Sequence, residues 1–330
     1  MRRIFIVAGV VICLSAAGAA GGWHWLTSGF DEPGPLIDPA TLIIPKGTTP
    51  DTIAANLRSA GIIDDLRIFK WGRRFLATKK PLRAGEFKFS PRMSTAAVIR
   101  QLQSGKTVVR KVTIAEGLSN AEIADVLSRT PGLTGLPGAM PNEGSLLPET
   151  YHFSFGDARA GIIKRMRGAM TQLLAEAWPK RTLKLPLKTP AAALVLASIV
   201  EKETGVAAER QRVAGVFINR LRKGMRLQSD PTVVFGLTQG KGGLGRSITK
   251  ADLKSQTPFN TYVIKGLPPS PIANPGRAAI LAVLNPAPTQ DLYFVADGSG
   301  GHAFAKTLKQ HQRNVGKWRK IERARKKKTP

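Results

Sequence analysis

Ala191–Pro231 reads AAALVLASIVEKETGVAAERQRVAGVFINRLRKGMRLQSDP, and its opening run decides the architecture of the C-terminal half. Ala193–Val200, ALVLASIV, is apolar or small on every side of a helical wheel. A helix of that kind is buried or membrane-spanning, and this run is too short to span. It predicts a core helix that ends in Glu201-Lys202-Glu203-Thr204, with two carboxyls on the last turn. Glu201 shares a face with Ser198 and Leu194. Glu203 lies about 200° around the wheel, on the side of Leu196, Ile199 and Val200. Both faces are apolar, so spacing does not choose between the two. A carboxyl desolvated at either position has its pKa raised, because burial disfavours the charged form. That is how a general acid is kept protonated near neutral pH. The competing reading is a solvent-facing glutamate at a fraying helix end, paired with Lys202 or Arg210.

Downstream of Gly205 a second helix is expected, with Ala208, Val213, Val216, Phe217 and Leu221 as its core stripe and Glu209–Arg212 as an i,i+3 pair. It should end at Gly224 and lead into an extended strand carrying Gln228 and Asp230, polar residues able to line a groove. Asp230 before Pro231 reads equally well as a turn starter. Beyond lie a β-type run at Val233–Leu237, the NTYVIKGLPP stretch, and DLYFVADGSGGHAF, a strand ending in a Gly-rich turn. Gly240–Ser247, GKGGLGRS, falls one residue short of a phosphate-binding loop. Arg246 stands where that loop needs the compact charge of a lysine, so nucleotide binding is rejected.

Upstream, DARAGIIKRMRGAMTQLLAEAW has helical periodicity, with Ile162, Met166, Met170, Leu173 and Leu174 on one packing stripe. Leu42–Leu57, LIIPKGTTPDTIAANL, is echoed at Val112–Leu127 by VTIAEGLSNAEIADVL. Each copy has a β-branched run, a glycine (Gly47, Gly117), a hydroxyl N-cap (Thr49, Ser119) and a helix. Ser119 with Glu122 makes a capping box, and Pro50 suits a first helical position. Met93–Lys106 is a fainter third copy of the helical part. Strand–helix–strand units of this size resemble the LysM-type carbohydrate-binding module, and a merely structural repeat stands beside that reading.

The N-terminus reads MRR and then carries no charge from Ile4 to Trp23, about the length a bilayer core requires. Arg2 and Arg3 would hold the tip in the cytoplasm and send the body outward. A cleaved signal peptide is the rival, since Ala17-Gly18-Ala19 fits its cleavage rule. The continuing apolar run and the interface-type residues Trp23 and Trp25 favour a retained anchor. The only cysteine, Cys13, lies inside it, so there is no disulfide framework. The four histidines lack ligand spacing, and no metal or cofactor is expected. A net charge of +28 admits nucleic-acid binding, but a body outside the cytoplasm faces anionic lipid and cell wall instead. No nucleic-acid partner is expected, and KWRKIERARKKKTP reads as a frayed, surface-seeking tail.

Several motifs in order, EGSLLPETYHF, ASIVEKET, VAGVFINRL, GMRLQSDPTV, TPFNTYVIKGLPPSPIANPG and LYFVADGSGGHAF, resemble the YceG-like family, the endolytic murein transglycosylases. The resemblance covers Glu143–His311 closely and the anchor and LysM-like region loosely. It implies that the first glutamate of EKET, Glu201, is catalytic, and it suggests Tyr151, Gln228, Asp230, Asn260 and Tyr262 as glycan contacts. Two departures, Ser145-Leu146-Leu147 in place of an aromatic-rich run and Glu149 where aspartate is usual, touch subsite contacts more than catalysis. The implied function is cleavage of nascent glycan strands between N-acetylmuramic acid and N-acetylglucosamine, leaving 1,6-anhydromuramyl ends. Peptidoglycan strands, the cytoplasmic membrane and peptidoglycan synthases are the implied partners. The implied location is the inner membrane, single-pass, with the bulk on the periplasmic side. The alternative is a non-catalytic, membrane-anchored glycan-binding scaffold.

The expected fold is α+β: a tip and transmembrane helix (1–28), a linker (29–39), a LysM-like βαβ module (40–110), a second strand–helix unit with a connecting helix (111–185), a mixed α+β catalytic domain (186–316) and the basic tail (317–330).

Overall fold

The computed structural model describes residues 2–328; Met1, of the tip expected in the cytoplasm, and Thr329 and Pro330 of the tail lie outside the described residues. The architecture is mixed α+β, in two compact units. One comprises the chain up to Arg110 with His152–Asp157, and the other comprises Lys111–Tyr151 with the chain from Ala158 onward. Among the described residues strands pair only in twos, so helices supply most of both cores.

In the first unit, α1 (Arg2–Asp31) is a 30-residue helix, long and apolar enough over Ile6–Asp31 to cross a membrane. Its side chains from Ile6 to Trp25 are exposed, whereas Leu26 and Phe30 are buried in the unit's core. That burial carries the helix through Gly29–Asp31, residues read from sequence as linker. β1 (Ala40–Ile44) runs antiparallel to β2 (Gly85–Phe89), with Ala40 opposite Phe89 and Ile44 opposite Gly85. Two helices lie between these strands, α2 (Pro50–Ser59) and α3 (Leu66–Phe75), so the module is strand–helix–helix–strand rather than the expected βαβ. Thr49 caps α2 with Pro50 at its start, Asp65 caps α3, and Ser94 caps α4 (Thr95–Ser104). Leu57, Phe69, Phe87, Phe89, Ile99 and Leu102 close the core, each fully buried. Burying a side chain of that size is worth about 1.5–3 kcal/mol.

β3 (Val109–Thr113) leads to the second unit's α5 (Asn120–Arg129), whose capping box of Ser119 and Glu122 forms in both directions. The short β4 (Leu133–Thr134), β5 (Thr150–Ser154) and the short β6 (Asp157–Ala158) follow. Then come α6 (Arg159–Ala177), α7 (Pro190–Glu203), α8 (Arg210–Arg222), α9 (Asp230–Thr238) and α10 (Arg277–Leu284). The hairpin β7 (Tyr293–Ala296) and β8 (His302–Ala305) precedes the last helix, α11 (Leu308–Lys328). α7 is the centre of this core, packed by α8 and α10. Gly215 lets α8 approach the Ala287 carbonyl, where a Cβ would stand at 2.8 Å. Leu146 and Leu147 are buried and serve packing.

Several expectations are corrected. Val233–Leu237 is helical, not β, because Asp230 and Pro231 occupy the first turn of α9, where an acid and a proline are favoured. The strand expected to carry Gln228 and Asp230 does not form: Gln228 has φ +52°, incompatible with an extended chain. NTYVIKGLPP is a series of turns around Asn260. Ala207–Glu209 is a 3₁₀ turn that leaves Ala208 exposed, so the stripe of α8 begins at Val213. Glu209 pairs with His302 and Arg212 with Asp291, not with each other. The basic tail, expected to fray, continues α11 to Lys328.

Candidate active site

α7 is positioned by a Thr189 cap, whose hydroxyl accepts from the Ala192 N–H, and by Pro190 in its first turn. Ala193–Val200 is buried on every side. Within that run Ser198 is fully buried; its Oγ donates to the Val195 carbonyl at 2.7 Å and accepts from the Ile272 N–H at 3.0 Å. This clasp fixes the loop that reaches Gly276, the N-cap of α10.

Glu201 points at that N-cap: the Gly276 N–H donates to its Oε2 at 2.9 Å. The Glu116 carboxylate lies against the same glycine, and any Cβ at Gly276 would overlap it. The Glu201 pKa is raised, first by burial and further by the Glu116 charge, with the Gly276 N–H, Arg210 and Lys202 pulling the other way. Gly117 passes beside Glu201, since a Cβ there would meet Glu201 Cγ at 3.6 Å, and Lys202 Nζ donates to its carbonyl at 3.2 Å.

Glu203 leaves the helix on another side. Ser229 Oγ donates to its Oε1. Burial pushes its pKa up to about 7; the Ser229 hydrogen bond opposes this, Asp230 adds to it, and His302 and Arg220 oppose it. Glu203 lines a cavity of ≈ 530 Å³ with Arg220, Gln228, Asp230, Tyr262 and Tyr293. Tyr262 donates its hydroxyl proton to Asp230 Oδ1 at 2.6 Å. The buried Arg220 guanidinium donates to the Leu227 and Leu292 carbonyls, each at 2.7 Å. A second cavity of ≈ 290 Å³ is bordered by Gly117, Ser119, Lys202, Phe235 and Ile272, and Asp230 borders it too. Glu201 therefore sits beside residues that wall the smaller cavity, while Glu203 opens onto the larger.

The six expected site residues thus divide. Gln228, Asp230 and Tyr262 meet in the larger cavity with Glu203. Glu201 stands two residues along the helix beside Glu116. Tyr151 is buried and donates its hydroxyl to the Leu147 carbonyl at 2.7 Å. Asn260 is also buried, its Nδ2 donating to the Ser255 and Leu253 carbonyls at 2.8 and 3.2 Å. Both are committed to internal bracing. Arg246, of the near phosphate-binding loop, is bound by both oxygens of Asp252.

Two polar groups near the site carried no role in the sequence reading. Glu143 accepts from the Asn120 N–H at 3.0 Å and from Asn274 Nδ2 at 3.1 Å, and burial pushes its pKa up to about 6. Asn274 also donates to the Leu118 carbonyl and Asn120 Oδ1 and accepts from the Leu146 N–H at 2.9 Å. Both belong to quoted motifs, EGSLLPETYHF and SPIANPG, but every partner of the Asn274 side chain lies more than a hundred residues away, as in the 128-residue separation of Leu146 and Asn274.

Residues 42–317 match the sequence model of the YceG-like family. An endolytic murein transglycosylase of Bacillus subtilis (strain 168) is 30% identical over 306 residues, which cover 83% of each chain. A protein of the same description from Streptococcus pneumoniae (serotype 2, strain D39) is 30% identical over 323 residues, spanning 83% of this chain and 57% of that relative. The crystal structure of a YceG-like protein from Listeria monocytogenes superposes with a TM-score of 0.51 at 31% identity, covering 84% of this chain and 99% of that one.

Proposed function

The chain belongs to the YceG-like family, and from that premise we propose that it is an endolytic peptidoglycan lytic transglycosylase with Glu201 as its general acid. The curated relatives are described as endolytic murein transglycosylases. The reading rests on one observation above others: the Glu201 carboxyl, at the end of a fully buried helical run, has its pKa raised by burial and by Glu116.

In the proposed reaction, protonated Glu201 gives its proton to the oxygen bridging N-acetylmuramic acid to N-acetylglucosamine. The bond from that oxygen to the muramyl anomeric carbon breaks. The muramyl 6-hydroxyl oxygen closes on the anomeric carbon, and its proton passes to the Glu201 carboxylate. Protons balance, the acid is regenerated, and the product ends in a 1,6-anhydromuramyl group. Intramolecular attack gains from proximity, so the second carboxylate of a hydrolytic glycosidase is not required. With Oε2 held by the Gly276 N–H, Oε1 is the oxygen that carries the proton. Gln228, Asp230 and Tyr262 would contact glycan in the larger cavity.

The same proposal has α1 as a retained single-pass anchor in the inner membrane, with the bulk of the chain on the outer side. The strand–helix–helix–strand module would serve as a LysM-like glycan-binding element, and cleavage near the membrane would limit emerging strands, with peptidoglycan synthases as neighbours.

A second reading assigns the acid to Glu203, because it opens onto the larger cavity and its pKa lies at about 7. The experiment is incubation of the wild type, Glu201→Gln and Glu203→Gln with peptidoglycan strands, followed by mass spectrometry of anhydromuropeptides. Product from the wild type and Glu203→Gln but not from Glu201→Gln is expected. Equal product from wild type and Glu201→Gln removes Glu201 from the role. No product from a wild type that still binds glycan identifies the non-catalytic scaffold.

A further inference from the structure

α3 carries no acidic residue and four basic ones, Arg67, Lys70, Arg73 and Arg74. Its inner side, Phe69 and Gly72, is buried, and Gly72 lies against the Phe30 ring of α1 so closely that any Cβ would overlap it. The outward positions 67, 70, 71, 74 and 75 follow i, i+3, i+4, i+7, i+8 and form one stripe. On a helix of a water-facing domain that stripe should be polar. Here it holds Trp71 and Phe75, 49% and 55% exposed, stacked at 5.6 Å.

These rings do not stand alone. Trp71, Phe75 and the α1 residues Trp23 and Trp25 border one groove of ≈ 340 Å³. Arg67 lies over the Trp25 ring, 5.2 Å from its centroid. From Ile6 to Trp25 the helix rises about 30 Å, which matches a hydrocarbon core. If α1 spans, four exposed aromatics fall at one interface, the depth that amphipathic rings favour. Beside Trp71 a cavity of ≈ 430 Å³ is bordered by Lys70, Arg73, Arg74 and Lys79. Asp65 pairs with Arg67 and Asp51 with Lys70, which leaves Arg73 and Arg74 as the uncompensated charges of α3, since no ion pair to either is found among the described residues.

We propose that α3 is a membrane-docking helix, its Arg67–Lys70–Trp71–Arg74–Phe75 face seated on the anionic headgroups of the bilayer that α1 enters. Apolar rings continuous with a spanning helix, rimmed by cations, fit a lipid surface of negative charge. The inference rests on the anchor reading of α1 and is independent of the catalytic one. Docking ties the first unit to the bilayer at a second point, so it cannot swing freely about the end of α1.

The full chain is reconstituted in phosphatidylcholine vesicles with and without phosphatidylglycerol. In a Cys13→Ser background, nitroxide labels are placed singly by Trp71→Cys and by Phe75→Cys, so that one aromatic remains in each. A third sample labels the native Cys13. Collision with oxygen and with a water-soluble nickel chelate reports depth. The expected result is Cys13 deep in hydrocarbon, and positions 71 and 75 at the interface with chelate collision several-fold lower in the anionic vesicles. Arg73→Gln with Arg74→Gln should abolish that lipid dependence. A deep Cys13 with water-exposed 71 and 75 in both lipids overturns the docking and leaves the anchor standing. A water-exposed Cys13 overturns the anchor and the docking together. Labels shielded equally in both lipids, with spin–spin broadening that grows with protein density, would assign the face to a second copy and overturn the proposal.

Discussion

Replacing Glu203 by its amide, Glu203→Gln, should remove a pH dependence of stability that the wild type carries in its second unit. Burial pushes the Glu203 pKa from 4.5 up to about 7, so folding favours the protonated carboxyl. A raised carboxyl contributes stability that is complete below its unfolded pKa and is lost as pH rises through the folded one. The gap corresponds to about 3 kcal/mol in full, at about 1.4 kcal/mol per pH unit. Between pH 5 and pH 8 most of it is lost, on the order of a hundredfold in the opening equilibrium. The amide is isosteric, cannot ionise, and its oxygen accepts from Ser229 Oγ as Glu203 Oε1 does. The assay is hydrogen exchange of the buried α7 amides, Leu196–Val200, corrected for intrinsic rate at each pH. Other titrating groups affect both proteins alike, so the difference between them isolates Glu203. The wild type should lose about 2–3 kcal/mol more than Glu203→Gln over that range. Parallel loss of protection in the two proteins would refute the argument, since it would mean that the carboxyl is ionised in the folded state throughout.

Two further substitutions test the architecture of the site. Gly276→Ala places a methyl where the Glu116 carboxylate lies, displacing it and with it the Glu201 contact; anhydromuropeptide formation should fall at least about tenfold, while circular dichroism stays unchanged. Asn274→Ala strands the buried Leu146 N–H and Asn120 Oδ1, while the Leu118 carbonyl keeps its bond from the backbone N–H of residue 274. At about 1–3 kcal/mol for each stranded group, thermal unfolding should show a loss of about 3 kcal/mol or more.

Local chemistry was legible where it acts alone. The caps at Thr49 and Ser119 and the all-round burial of Ala193–Val200 follow from neighbouring residues, and the structure shows them as read. Failures fall where a distant contact overrides a local preference. The valines of α9 favour a strand, but Asp230 and Pro231 open a helix, and the Thr232 hydroxyl is bound to Ser229 and Thr261 within the core. Glu209 and Arg212 have the spacing of an i,i+3 pair, yet each takes a partner brought in by the β7–β8 hairpin or the segment before it. Glu143, Asn274 and Glu116 gather near α7 only through long-range folding, and nothing in their own neighbourhoods announces it. Tyr151 and Asn260 show the converse: polar residues in quoted motifs that the fold spends on holding loops together.

The two glutamates that spacing left equivalent are made chemically different by what each meets at the end of α7. A group that must first give a proton and then hold and regain one cannot be too strongly biased to either state. Glu201 is held in such a balance: burial and Glu116 favour the neutral form, while the Gly276 N–H at 2.9 Å, Arg210 and Lys202 favour the anion. The Gly276 N–H belongs to the N-cap of α10, at the positive end of that helix, where a carboxylate is stabilised. Glu203 instead meets the Ser229 hydroxyl: burial first, and then Asp230, favour its neutral form, while that hydroxyl, His302 and Arg220 favour the anion. Below its pKa of about 7 such a carboxyl can donate a hydrogen bond into the larger cavity, as a positioning group for glycan. Both carboxyls are thus poised to titrate, and the proposal that Glu201 is the proton shuttle rests on its place as the first glutamate of the EKET motif, which the two amide variants test. Glu203→Gln, which preserves a neutral donor, should then retain most product formation, whereas Glu201→Gln should not.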